Sequence, residues 1–188
     1  VGAILSWNGW QGYQKSKAMQ ASDKYTQITE AVAAGNADQV SGIAAELRDD
    51  YGSSSFAAMA SLLQAKLAAE SSNLPAAADH LQWVIDNSTL EELKTVAAIR
   101  KARVLLADGD ASGAMNALPD VANGGFAGLA AEVRGDIHLA LGETDKAREA
   151  YQQAQVNGGA QVNPTVLGMK IDDLAAESPA TESGEGES

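Results

Sequence analysis

The sequence predicts an all-α protein built from repeated pairs of antiparallel helices, and three observations carry that expectation. Four turns centred on Gly35, Ser72, Gly109 and Gly142, spaced by 37, 37 and 33 residues, each sit among small or apolar residues at fixed offsets. The composition is alanine-rich, 45% hydrophobic but only 5% aromatic, so a core has to come from closely approaching helices rather than from large rings. No stretch alternates apolar and polar residues for long enough to make a strand. At 188 residues the chain suits one domain or a short array of repeats.

Each turn organises the same five places. Gly135 lies seven residues before Gly142, and Ala147, Tyr151 and Ala154 lie five, nine and twelve after it. The earlier frames read Ala102, Gly109, Ala114, Leu118 and Val121, then Ala65, Ser72, Ala77, Leu81 and Val84, then Ile28, Gly35, Val40, Ala44 and Leu47. Small residues at these places let two helices touch, and Tyr151 fills the space beside them. A helix-turn-helix of about 34 residues with this pattern is the tetratricopeptide repeat. The expected fold is therefore a tetratricopeptide-like helix-turn-helix superhelix of about four repeats with a C-terminal capping helix.

Capping chemistry places the helices in order. Asp23 precedes the first, ending near Ala34-Gly35, and Asp38 precedes its partner, which runs to Asp50 with Gly52 as a stop. Ser54 or Ser55 opens the next helix, from Phe56 to Glu70, and Pro75 falls in the first turn of the one after, where its missing N–H costs nothing. The third pair, Glu91 to Ala107 and Ala111 to Ala122, flanks Gly109, and the fourth, Phe126 to Leu141 and Thr144 to Val156, flanks Gly142. Asn163-Pro164 opens a capping helix with Leu167, Ile171 and Leu174 at i, i+4 and i+7. The repeats then occupy residues 20–162 and the capping helix 163–176. Residues 177–188 hold Pro, Gly, Ser and Glu with no large apolar side chain, so a disordered acidic tail is expected there.

Residues 1–19 are of another kind. The chain opens on Val1-Gly2-Ala3-Ile4-Leu5, followed by Trp7, Trp10 and Tyr13 and then by Lys15 and Lys17. Amphipathic rings just beyond an apolar run suit a membrane–water interface, whereas five apolar residues fall far short of the roughly 20 that span a bilayer. Two readings stand on composition: the end of a transmembrane helix with a juxtamembrane linker, and an amphipathic first helix packed on the domain.

Charge and motif content narrow the function. Thirteen Lys and Arg against 25 Asp and Glu give a net charge of -12 and a pI near 4.4, which a phosphate backbone would repel, so nucleic acid is excluded as a partner. There is no cysteine for a disulfide, thiolate metal site or thiol nucleophile. His80 and His138 have no second ligand or base at a working spacing, and the neighbouring acids Asp49-Asp50, Glu91-Glu92 and Asp172-Asp173 diverge on a helix. No nucleophile elbow or glycine-rich phosphate loop is present. No enzyme activity, metal or cofactor is expected. What the repeats do offer is an interaction groove, at the second, fifth, ninth and twelfth places of each unit. Its candidate partner-binding residues are Tyr25, Met59, Leu62, Lys66, Ile99, Arg103, Leu106, Leu129, Glu132 and Asp136. Such a groove is apolar in the middle, with Lys66 and Arg103 placed to hold acids of a partner and Glu132 and Asp136 to repel them.

The segments VGAILSWNGWQGYQ, AAIRKARVLLADGDASGAM and AEVRGDIHLALGETDKAREAYQQA, with MKIDDLA near the end, resemble the YfgM-type ancillary subunits of the bacterial SecYEG translocon. The resemblance covers the chain up to about Ala175. It implies a single-pass inner-membrane protein whose bulk is periplasmic, with Trp7, Trp10 and Tyr13 at the membrane interface. It also implies association with SecYEG and with a membrane-anchored periplasmic PpiD-like chaperone, and a role as a non-enzymatic scaffold or chaperone-like subunit handling client polypeptides. A general tetratricopeptide adaptor in envelope assembly is the alternative.

Overall fold

The computed structural model describes residues 2–159 and 162–177, and among these every regular element is a helix. The helices are α1 (Gly2–Ala33), α2 (Ala37–Tyr51), α3 (Ser55–Glu70), α4 (Leu74–Asn87), α5 (Glu91–Ala107), α6 (Ala111–Ala117), α7 (Ala127–Ala140), α8 (Thr144–Asn157) and α9 (Pro164–Glu177). They fall into two compact units, residues 1–110 and 111–188, so the division cuts the third helix pair. The tail beyond Glu177 lies outside the described residues, and Glu177 itself closes α9.

The repeat frame is realised in the backbone. The four turn residues all adopt the left-handed conformation, Gly35 at φ +69°, Ser72 at +61°, Gly109 at +87° and Gly142 at +75°. This is the region where a Cβ crowds the following carbonyl, and Ser72 alone of the four carries one. Ser72→Gly is therefore expected to stabilise the protein by about 0.5–1 kcal/mol in a urea titration, the relief of strain exceeding the extra chain entropy of glycine. No gain would mean that the serine at this turn relaxes in solution.

In the first unit, Ala21, Ile28 and Ala31 of α1 pack on Val40, Ile43, Ala44 and Leu47 of α2, and Ala57 and Ala60 of α3 close the cluster. A second cluster joins Ala58 and Ala65 of α3 to Leu81 and Val84 of α4 and Ala97 of α5. Asn36, Ser54 and Asn73 cap α2, α3 and α4 by accepting hydrogen bonds from Gln39, Ala57 and Ala76 N–H groups. The cap of α2 is thus Asn36 rather than the expected Asp38, which sits in the first turn as a dipole-complementing acid.

Two elements differ from expectation. Asp23 does not open a helix: α1 runs unbroken from Gly2 to Ala33, because nothing between Tyr13 and Ala33 is Gly or Pro and helix formers predominate. The linker expected within residues 1–19 is accordingly helical. Lys17, on this stretch, donates from Nζ to the Asp50 carbonyl at 3.2 Å and lies 4.7 Å from the Tyr51 ring centroid, while Tyr51 O–H donates to Gln20 at 2.9 Å. The lysine after the apolar segment therefore caps the last turn of α2. No helix among the described residues is long and apolar enough to cross a membrane. The second difference is α6, which stops at Ala117 rather than Ala122 because Pro119 bars its own position and disfavours helix at Leu118. Leu118 and Val121 follow the helix instead of lying within it.

In the second unit, Ala131, Ala147, Tyr151 and Ala154 form a core with Val162, Leu167 and Leu174, the last two from α9. Gly135 of α7 lies against the fully buried Tyr151 ring, and a Cβ at Gly128 would overlap the Gly158 carbonyl oxygen. Arg148 of α8 donates from Nη2 to the Leu174 carbonyl at 3.1 Å and so holds the last turn of α9. The capping helix lies where the sequence places it, with Ile171 packed beside the same cluster.

Candidate functional site

Helices α3, α4 and α5 enclose a cleft of about 350 Å³ lined by Leu62, Ala65, Lys66, Ala69, Leu81, Arg100, Arg103 and Val104. Its floor is apolar: Leu81 is buried by the α3–α4 packing, and Ala65 and Ala69 are too small to fill the space above it. Leu62 and Lys66 stand one turn apart on α3, and Arg100 and Arg103 stand at i, i+3 on α5, so each pair shares a helix face. Lys66, Arg100 and Arg103 are all exposed and form a cationic rim, with Lys66 Nζ 3.6 Å from Glu70 in an i, i+4 ion pair.

Three expected groove residues, Leu62, Lys66 and Arg103, thus meet at one cleft. Met59 and Leu106 are half-buried outside its lining. Tyr25 turns to the core, its ring centroid 5.8 Å from that of Phe56. Ile99 corrects the sequence reading more sharply: it is 1% exposed, a core residue with no surface to offer a partner. The neighbouring Arg100 takes the lining position that the periodic reading passed over, and its i, i+3 spacing to Arg103 was the available signal.

In the second unit, Leu129 is half-buried, and Glu132 and Asp136 are engaged within the fold. Lys170 of α9 places Nζ 3.0 Å from Glu132 Oε1 and 2.7 Å from Asp136 Oδ1, and Tyr151 O–H donates to Asp136 Oδ1 at 2.8 Å. Both acids at the expected acidic end of the groove are therefore paired with one lysine of the capping helix, which a reading of α7 alone could not reveal. Burial pulls the Lys170 pKa down, but the hydrogen bonds and charges of Asp136 and Glu132 outweigh it and hold the ammonium above its usual range. The Tyr151 hydroxyl is pushed well above the ordinary phenol range by burial, and further by its bond to Asp136.

Both histidines have side-chain partners within the fold. His80 Nδ1 lies 3.2 Å from Arg48 Nη1, and burial, reinforced by the arginine charge, lowers its pKa and so favours the neutral ring. His138 Nδ1 lies 2.6 Å from Glu143 Oε2, and Lys146 and His138 together hold the Glu143 carboxyl below its usual pKa. Among the described residues, no three His, Cys, Asp or Glu side chains cluster as a metal site. At the start of α1, Trp7, Trp10 and Tyr13 are 58%, 54% and 60% exposed, and the two indole centroids lie 5.6 Å apart, an uncovered aromatic patch.

Comparison with known proteins gives consistent matches. The model of a tetratricopeptide repeat-like domain family matches residues 1–176. The ancillary SecYEG translocon subunit of Escherichia coli K12 is 30% identical over 178 residues, covering 93% of this chain and 84% of that protein. The proteins of the same name from Aggregatibacter actinomycetemcomitans and Neisseria gonorrhoeae are 31% and 30% identical, over 85% and 92% of this chain and 78% and 85% of their own lengths. No solved structure gives a significant match.

Proposed function

We propose, from the premise that this chain belongs to the family of ancillary SecYEG translocon subunits and carries a tetratricopeptide repeat-like domain, that it is a non-enzymatic scaffold at the Sec translocon. The observation that carries this reading is the extent of the similarity, 178 residues that take in nearly the whole chain rather than the repeats alone. The exposed Trp7, Trp10 and Tyr13 patch supports a membrane anchor, with the rings at the lipid–water boundary and the repeats on the periplasmic side. The cleft between α3, α4 and α5 supports a peptide-binding surface for the channel, for a periplasmic PpiD-like chaperone, or for emerging client segments.

Site-specific photocrosslinking in cells tests it, with one probe at Leu62 on the cleft and another at Trp10 on the aromatic patch. Both positions are expected to capture subunits of the channel or its periplasmic chaperone. Recovery of cell-wall or outer-membrane assembly factors in their place would overturn the translocon reading in favour of a general envelope adaptor.

A further inference from the structure

We propose that the cleft between α3, α4 and α5 takes a peptide segment presenting one large apolar side chain flanked by carboxylates. The inference rests on the scaffold reading above and gives the partner of that surface a chemistry. The floor made by Ala65, Leu81 and Val104 offers burial but no hydrogen-bonding side chain, so what enters it must be apolar. A volume of about 350 Å³ stands at the low end of the roughly 300–1,000 Å³ range of ligand pockets, a fit for one or two side chains. Alanines at 65 and 69 keep it open, since larger residues there would fill the space themselves.

Charge gives the flanks. The chain carries 25 acids against 13 bases, yet the charged residues lining this cleft are all cations. Glu70 offsets Lys66, whereas Arg100, exposed on the opposite wall, makes no ion pair among the described residues. A guanidinium at the mouth of an apolar cleft is well suited to a carboxylate, which it grips with two parallel hydrogen bonds. An apolar anchor in the floor then sets affinity, while the acids beside it set orientation and speed of association.

The test uses the full chain and a fluorescein-labelled hexapeptide, Leu-Phe between two glutamates on either side, followed by fluorescence anisotropy. Saturable binding is expected that weakens as salt rises, falls about tenfold in Arg100→Glu, and is lost in Ala69→Phe, which fills the cleft. Circular dichroism confirms that both variants stay folded, and Arg100→Lys should retain part of the affinity. Equal binding of a peptide with lysine flanks, no loss in Arg100→Glu, or no saturable binding would each overturn the proposal. The two readings separate cleanly in the crosslinking experiment. Capture of the channel by a chain that ignores the peptide leaves the scaffold standing and removes the cleft chemistry, whereas peptide binding without channel capture does the reverse.

Discussion

Gly135→Ala is expected to destabilise the full chain by about 3 kcal/mol, at the upper end of the cost of overpacking a core. The added methyl would enter the space of the Tyr151 ring, against Cδ1 and Cε1 and 3.0 Å from Cζ. That ring has nowhere to retreat, being fully buried, with its hydroxyl held by Asp136 at 2.8 Å. A urea titration followed by far-ultraviolet circular dichroism measures the loss. The pair Gly135→Ala with Tyr151→Leu should cost less than the sum of the two single changes, because the smaller side chain makes room for the methyl. An unchanged midpoint for Gly135→Ala would mean that α7 and α8 do not meet at these residues.

Gly135 and Tyr151 also show why so much of the fold was legible in the sequence. Close packing of two helices demands a small residue at a fixed distance from the turn, and such a demand is local, so it repeats with the turn. The same place is filled by Ala102 and Ala65 in two of the earlier frames, whereas the first frame carries the larger Ile28, and all three are buried. Interruptions that depend on one residue were harder to weigh. Pro119 was present to be read, yet the apolar Leu118 and Val121 extended the pattern past it, and the chain obeyed the proline. At Asp23 the opposite happened: an N-cap residue type stood in a run of helix formers, and the helix passed through it.

The candidate site was less legible, for a reason that Ile99 and Arg100 make plain. A periodic stripe says which residues share a helix face, but burial depends on what the rest of the fold lays over that face. Ile99 belongs to the stripe and is covered, while Arg100, one residue on, lines the cleft. Glu132 and Asp136 likewise lie on the expected face of α7, but their partner Lys170 is separated from them by 38 and 34 residues and has no pattern to announce it. Contacts of this range appear only once the capping helix is in place.

Lys170→Met provides the sharpest test of that capping contact, and a loss of about 2–3 kcal/mol is expected at neutral pH. The variant takes from Glu132 and Asp136, two like charges at i, i+4 with side chains 13% and 26% exposed, the ammonium that joins both to α9. Removing one member of a fully buried ion pair costs roughly 3–5 kcal/mol, and partial solvation of this cluster brings the figure down. The alkaline range distinguishes lost charge from lost packing. Lys170 and Tyr151 both have folded pKa values raised above their unfolded ones, so each contributes stability that is present below about pH 10 and is lost as pH climbs through the folded values. The wild-type chain should therefore lose stability above about pH 10, and Lys170→Met should lose less over the same interval because one of the two groups is gone. Tyr151→Phe should keep the lysine's share of the alkaline loss and shed the tyrosine's. Parallel alkaline losses in wild type and Lys170→Met would mean that the ammonium does not hold the two carboxylates in solution, leaving the apolar contacts of Leu167 and Leu174 as what fixes α9 to the last repeat.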